Sequence, residues 1–266
     1  MTCVINPPIP LRLSNIRLHI DEPSDDPGLC AILTKVQLDM SSAHALNIET
    51  VGQSESPKWR EERRVRLTAS NFGAIIKRKM APSESFMRSI FNPVDISKVS
   101  SVSYGRNREG IAKEKYIKKM EKNKKHVITL FDTGLCVNPS FPHLGATPDG
   151  RVLDRSVATP LGILEIKCPC KFRDFLPEDA SSHRDFCLQM VNNKLMLKEN
   201  HPYYYQVQGQ MAIAQVEWCD FAVYTTKGIH VQRISYNNDV WQDMFCKLND
   251  FYFKHGVPFL KASLQN

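Results

Sequence analysis

The chain has 266 residues, 42% hydrophobic and 24% charged, the balance of a soluble globular protein with one sizeable domain or two small ones. No apolar stretch approaches the ~18 residues of a membrane span. MTCVINPPIPLRLSNIRLHI lacks the basic start and apolar block of a secretory signal, so the expectation is an intracellular protein with no membrane partner, and a nuclear location is compatible. A formal charge of +7 suits a polyanionic partner.

Residues 1 to about 35 read as loosely organised, with Pro7, Pro8 and Pro10 early and a turn-rich acidic patch, DEPSDDPG, at 21–28. Lys35 to about Val51 is compatible with helix, and QSESPKW ends a loop on an anchoring tryptophan, Trp59. Ser56-Pro57 predicts a helix start at WREERRVRL. In TASNFGAIIK, Thr68 or Ser70 is placed to cap a helix with Phe72, Ile75 and Ile76 inward.

SYGRNREGIAKEKYIKKM has a helical stripe of Ile111, Ala112, Tyr116, Ile117 and Met120, with Glu109 at its start. Lysines and arginines dominate residues 106–125. That is either a solvated face with Glu–Lys pairs or a surface that tracks phosphates. From His126 the period shortens to β-rich runs broken by Asp-Thr-Gly, Asn-Pro and Pro-Asp-Gly.

LGILEIKCP is a strand whose alternation puts Ile163, Glu165 and Lys167 on one face and Leu164, Ile166 and Cys168 on the other. In residues 171–202, Leu188, Val191 and Leu195 stand at helical spacing, with Phe186, Met190 and Met196 as further packing candidates. Residues 201–215 read as a helix with Tyr204, Val207, Met211 and Ala214 inward, and 220–236 as a hairpin turning at Lys227-Gly228. The tail is an amphipathic helix stopped by Gly256 and Pro258. Helices, a mixed β region and more helices predict an α/β (α+β) fold around one central mixed sheet.

There are eight cysteines. Only Cys168 and Cys170 are close together, and C-P-C lacks the C-x₂-C spacing of a zinc site, so reduced thiols are expected.

Charged residues inside an apolar strand need pairing or chemistry. Asp149, in the turn Pro148-Asp149-Gly150, and Glu165 together make a hard-oxygen site of the kind Mg²⁺ accepts while keeping waters. Bound metal would activate water and stabilise the leaving oxygen in phosphodiester hydrolysis. Lys167, on the same face as Glu165, can orient or deprotonate the water and stabilise the transition state. The other reading of D…E-x-K is an aspartate in a turn beside an exposed ion pair.

Five stretches resemble, in order, the lambda-exonuclease and YqaJ-like viral recombinase family of PD-(D/E)xK nucleases: WREERRVRLTASNFGAIIKR, YGRNREGIAKEKY, HLGATPDGRV, GILEIKCP and YYYQVQGQMAIA. They span roughly residues 57–235. The resemblance implies a restriction-endonuclease-like nuclease domain over 56–266 behind an N-terminal extension, 1–55. Asp149 and Glu165 would hold Mg²⁺, or Mn²⁺ in its place, with the Ile166 carbonyl. Lys167 would be catalytic, Glu109 would complete the site, and Gln206 would lie near the scissile bond. Arg63 and Ser70, and more weakly Gln208, would contact the phosphate of a DNA end.

The implied activity is a 5′-to-3′ exonuclease on linear double-stranded DNA, serving recombination or the processing of viral or mobile-element DNA. A DNA-end-binding module without catalysis and a structure-specific endonuclease are the alternatives. Family relatives form trimeric rings, so a homo-oligomer and a recombinase or strand-annealing partner are compatible. His143 and His183 lack partners at metal-binding spacing. Tyr203, Tyr204 and Tyr205 are read as core packing rather than as a stacking platform for bases.

Overall fold

The computed structural model describes residues 26–96, 98–122 and 125–264. The early prolines and the start of the acidic patch lie outside the described residues. Two helices come first, α1 (Pro27–Val36) and α2 (Met40–Glu49). Asp26 caps α1 by accepting from the Gly28 and Leu29 amides, and Pro27 occupies the first helical position. The acidic patch therefore ends as a helix start. Residues 26–55, expected as part of an extension, are built into the domain. Ile32 and Val36 are buried, and the fully buried Asn47 donates to Thr133 Oγ1 at 3.0 Å.

Next come α3 (Pro57–Arg63), capped by Ser56, the short β1 (Leu67–Thr68), α4 (Ala69–Ile76), α5 (Glu84–Phe91) and the long α6 (Ser100–Met120). Thr68 occupies the cap position of α4 without a side-chain bond, and Ser70 lies inside the first turn, exposed. On α6, Ala112 and Tyr116 are fully buried as expected, whereas Ile111 turns outward and is 37% exposed. Glu109 is mid-helix, so it owes nothing to a helix terminus.

The strands are β2 (Ile128–Phe131), β3 (Leu144–Gly145), β4 (Gly150–Asp154), β5 (Leu161–Lys167), β6 (Leu188–Val191), β7 (Lys194–Leu197), β8 (Trp218–Tyr224) and β9 (Ile229–Ser235). Five form the central sheet in the order β2-β4-β5-β8-β9. Within this sheet only β5 and β8 run parallel, with Glu165 opposite Phe221 and Lys167 opposite Val223. The turn expected at Lys227-Gly228 joins β8 to β9, where Thr225 Oγ1 accepts from both amides. β1 pairs in parallel with β3, Leu67 opposite Leu144.

One helix covers each face of the sheet. Tyr116 of α6 packs with Val152, Leu164, Ile166 and Ala222. On the other face α8 (Pro202–Ala214) packs Val207, Met211 and Ala214 against Ile163 and Phe221. Beyond α8, a helical layer of α1, α4, α5, α9 (Asn238–Phe251) and α10 (Val257–Leu264) closes on Phe72, Phe91, Trp241 and Leu248. α4 and α8 cross closely because both carry a glycine there. A Cβ on Gly209 would stand 2.4 Å from Phe72, and one on Gly73 2.5 Å from Pro202.

Two sequence expectations fail here. Leu188, Val191 and Leu195 belong to the β6–β7 hairpin rather than a helix. Asn192 and Asn193 both take positive φ, 48° and 59°, the conformation a two-residue hairpin turn demands and asparagine tolerates. Within 171–200 the helical structure is confined to a 3-10 turn over Cys170–Phe172 and the single-turn α7 (Pro177–Ala180). The tail does not stop at Gly256. α9 widens into a π-turn over Tyr252–Gly256, and α10 follows at once. Pro258 falls in the first turn of α10, where its missing N–H is not needed.

His143 is 1% exposed, and neither ring nitrogen has a partner among the described residues. It lies 4.9 Å from the Tyr252 ring and 5.7 Å from Phe253. Burial, helped by nearby Arg66, lowers its pKa to about 3. In the unfolded chain a histidine takes up a proton near 6.5. Between these values the unfolded state binds more protons, so stability is full above about 6.5 and falls as pH drops towards 3. Urea unfolding at pH 5 against pH 7.5 should show a loss of about 2 kcal/mol from this residue. His143→Phe should remove that component.

Candidate active site

The site forms where β4 begins and β5 ends. Asp149 immediately precedes β4, and its amide donates to the Leu164 carbonyl at 2.9 Å. Its Oδ2 accepts from the Ile166 amide at 2.6 Å. The turn is thus a half-buried ledge bonded to β5. The β4–β5 ladder ends at Gly150 opposite Leu164. Backbone groups two residues apart on a strand point the same way. The Ile166 carbonyl therefore faces the gap beside Asp149, past the end of β4.

Glu165 is 2% exposed and points towards α8. Three donors meet it. Lys167 Nζ and Gln206 Nε2 each reach Oε1 at 2.6 Å, and Gln210 Nε2 reaches Oε2 at 2.7 Å. Gln206 and Gln210 stand four apart on α8 and so share a face. Gln208 takes the opposite side, fully buried, donating to the Ser235 carbonyl at 3.0 Å and accepting from the Asn237 amide at 2.9 Å. Its amide ties α8 to the β9–α9 junction, which is inconsistent with the expected phosphate contact.

Charge concentrates at Asp149. Burial raises its pKa well above 3.8, and repulsion from Glu165 and then Glu109 adds to this against the pull of Lys167. Glu109, on α6, accepts from Lys113 at 2.9 Å. Burial alone would lower the pKa of Lys167, yet Glu165, Tyr203 and Asp149 together hold it above the ordinary lysine value. Lys167 also stands 4.4 Å over the Tyr203 ring. Of the two roles open in the sequence, this surrounding supports a charged hydrogen-bond donor.

The donor set fits a hard divalent cation. Asp149, just before β4, and Glu165 and the Ile166 carbonyl on β5 offer oxygen donors, and Asp149 carries repulsion that a cation would relieve. Among the described residues no three His, Cys, Asp or Glu side chains cluster as a ready-made metal cage. Mg²⁺ needs only one or two carboxylates, water and substrate oxygens.

Arg63 lies 4.0 Å over the ring of Trp59, whose Nε1 donates to Thr147 Oγ1 at 3.0 Å, two residues before Asp149. Burial lowers the Arg63 pKa to about 10, and it has no acidic partner among the described residues. Ser70 is exposed, its hydroxyl 3.3 Å from that of Thr68. Sequence reasoning missed Gln210, the Trp59–Thr147 contact, and Gln53, whose amide donates to the Pro148 carbonyl at 3.1 Å. Tyr203 sits under Lys167 and 6.1 Å from Phe221, so it packs at the site's floor.

A cluster of two carboxylates and a lysine at the end of a mixed sheet is the arrangement that the family resemblance in the sequence implies. The chain belongs to the YqaJ-like viral recombinase domain family, whose model matches residues 58–217. No curated protein matches it in sequence. It is similar in fold to the alkaline exonuclease LHK-Exo of Laribacter hongkongensis, at 21% identity and a TM-score of 0.55, over 78% of this chain and 97% of that one. It is also similar to the shutoff and exonuclease protein of Kaposi's sarcoma-associated herpesvirus, at 12% identity and a TM-score of 0.53, over 88% and 81%. An RNA complex of that virus's SOX protein aligns at 13% identity and a TM-score of 0.55, over 86% and 77%. No helix among the described residues is long and apolar enough to cross a membrane.

Proposed function

We propose that this chain is a Mg²⁺-dependent deoxyribonuclease that degrades linear duplex DNA from a 5′ end, with Mn²⁺ as a substitute ion. The reading rests chiefly on the meeting of Asp149, Glu165 and Lys167 at the end of β5, with Gln206 on the same glutamate. Asp149, Glu165 and the Ile166 carbonyl would hold the ion, which would polarise the phosphate and lower the pKa of the attacking water. Lys167 donates to oxygen at the reacting centre and stabilises the negative charge gathering on phosphorus. Gln206 steadies Glu165, and Glu109 adds negative charge on the α6 side. Water adds to phosphorus and gives up a proton to solvent, the bond to the leaving oxygen breaks, and that oxygen takes up a proton from solvent in turn.

DNA as substrate is supported by the fold's neighbours, one solved with dAMP and one with DNA. Arg63 is suited to hold a terminal phosphate, since a stacked guanidinium without a carboxylate can still form a bidentate pair. Ser70 is a second candidate. A role in recombination, a strand-annealing partner and a homo-oligomeric ring belong to the same proposal.

The test compares 5′-labelled linear duplex with a covalently closed circle, in Mg²⁺ and in EDTA. Loss of the linear DNA alone, only in Mg²⁺, is the expected result. Cutting of the circle would make the protein an endonuclease, and binding without cleavage would make it an end-binding module. Arg63→Leu should reduce the preference for a 5′-phosphorylated over a 5′-hydroxyl end by roughly tenfold or more, measured as the ratio of kcat/KM values.

A further inference from the structure

Gln210 is 1% exposed and has no part in the chemistry proposed for Lys167 and the ion. Both hydrogens of its amide are nevertheless committed to the site, one to Glu165 Oε2 at 2.7 Å and one to the Thr147 carbonyl at 3.4 Å. We propose that Gln210 is a positioning residue for the metal-holding carboxylates. It aims the one oxygen of Glu165 that keeps a free lone pair, and it joins that oxygen to the segment carrying Asp149. The proposal rests on the metal-dependent reading of the site.

Counting lone pairs carries the argument. A carboxylate oxygen accepts in two directions. On Oε1 both are taken, by Lys167 and Gln206. Among the described residues Oε2 accepts only from Gln210, so Oε2 is the atom left for a cation. The orientation of the amide follows from the same partners. Turned over, its carbonyl would face two acceptors, Glu165 Oε2 and the Thr147 carbonyl. Holding the observed orientation leaves Gln210 Oε1 buried and without a partner among the described residues. Buried carbonyls are rarely left so, which indicates that the site rather than packing sets the side chain.

The far end of the link is also fixed. Thr147 is held by Trp59 at 3.0 Å, and the neighbouring Pro148 carbonyl by Gln53 at 3.1 Å. The backbone of α8 is pinned beside Gln210, where Gly209 meets Phe72. Gln206 lacks this bridging contact, and Lys167 shares its oxygen.

The test measures Mn²⁺ binding by titration calorimetry on the full chain without DNA. It compares wild type, Gln210→Met and Gln206→Met. Partners that orient a metal ligand typically contribute tenfold to a hundredfold in affinity. Gln210→Met should bind Mn²⁺ at least tenfold more weakly, and Gln206→Met should lose clearly less, because Lys167 still holds Oε1. Wild-type affinity in Gln210→Met, or equal losses in both variants, would overturn the proposal. Gln210→Leu replaces the methionine variant if that one does not fold, and failure of both to fold would assign Gln210 to the core and overturn it. A folded wild type that binds no Mn²⁺ would overturn the metal reading itself, a result distinct from an unchanged variant.

Discussion

Lys167→Ala should lower kcat on linear duplex by about a thousandfold, within the range for losing one proton-transferring or charge-stabilising group. The side chain is placed for one task. Its ammonium lies 2.6 Å from Glu165 and 4.4 Å over Tyr203, so two neighbours restrict where it can point. The phosphate in flight gains negative charge, and a fixed cation there is worth more in the transition state than in the ground state. KM and duplex affinity, measured by fluorescence anisotropy in Ca²⁺, should change little. Lys167→Arg should not restore the rate, because a guanidinium is larger and planar and cannot occupy the same point. A fall of less than tenfold in kcat would assign the lysine to structure rather than catalysis.

The largest effect on stability should come from the opposite face of the sheet. Arg233 holds Asp220 through two bonds, Nε to Oδ1 at 2.8 Å and Nη2 to Oδ2 at 2.9 Å, and reaches Asp154 Oδ2 at 2.9 Å. Its guanidinium lies 3.7 Å over the Trp218 ring. Both aspartates are 0% exposed. Tyr116 donates to Asp220 at 2.7 Å, and His126 Nδ1 stands 2.7 Å from Asp154.

Removing the arginine leaves two buried carboxylates without their main counter-charge, a change that typically destabilises by about 3–5 kcal/mol. Arg233→Met, which keeps the stem's length, should show that loss in urea unfolding at pH 7. Asp154 adds a pH signature. Burial would raise its pKa, but bonds from Ser156, His126 and Arg233 hold it down to about 2. This carboxylate's stabilisation is present above the unfolded value near 3.8 and is lost as pH falls towards 2. A loss under 1 kcal/mol in Arg233→Met would mean that the pairs offset their own desolvation.

Much of the site is legible in the sequence. The strand LGILEIK announces itself by alternation, and alternation alone places Glu165 and Lys167 on one face. The nearby aspartate stands just after a proline. The helix YYYQVQGQMAIA is equally plain, and its spacing carries a further signal. In a helix, positions 206 and 210 share a face while 208 lies on the other. That separates Gln210 from Gln208, the weaker candidate of the family resemblance, and groups it with Gln206.

Other features cannot be read locally because they depend on long-range packing. Nothing nearby in the chain indicates that Gln53 reaches Pro148, or that Trp59 reaches Thr147, 88 positions away. The β6–β7 hairpin is hidden by a coincidence of spacing. Leu188, Val191 and Leu195 fit a helix, and only the Asn192-Asn193 pair signals the turn. The tail misleads in the opposite way, since Gly256 and Pro258 usually end helices, and here a π-turn lets the chain continue.

The central claim is a metal-dependent phosphodiesterase built on Asp149. Its raised pKa gives that claim a two-sided test. The unfolded chain releases this proton near 3.8 and the folded chain only well above it. Over that interval the folded state holds more protons, so the group lowers stability as pH rises. Asn at this position keeps the acceptor for the Ile166 amide and removes the charge. The measurement is degradation of labelled linear duplex by wild type and Asp149→Asn in Mg²⁺ and EDTA, beside urea unfolding of both without metal at pH 7. The expected result is activity only for wild type in Mg²⁺, with the inactive variant the more stable of the two. Wild-type degradation in EDTA, or an Asp149→Asn protein as active as wild type, would contradict the account.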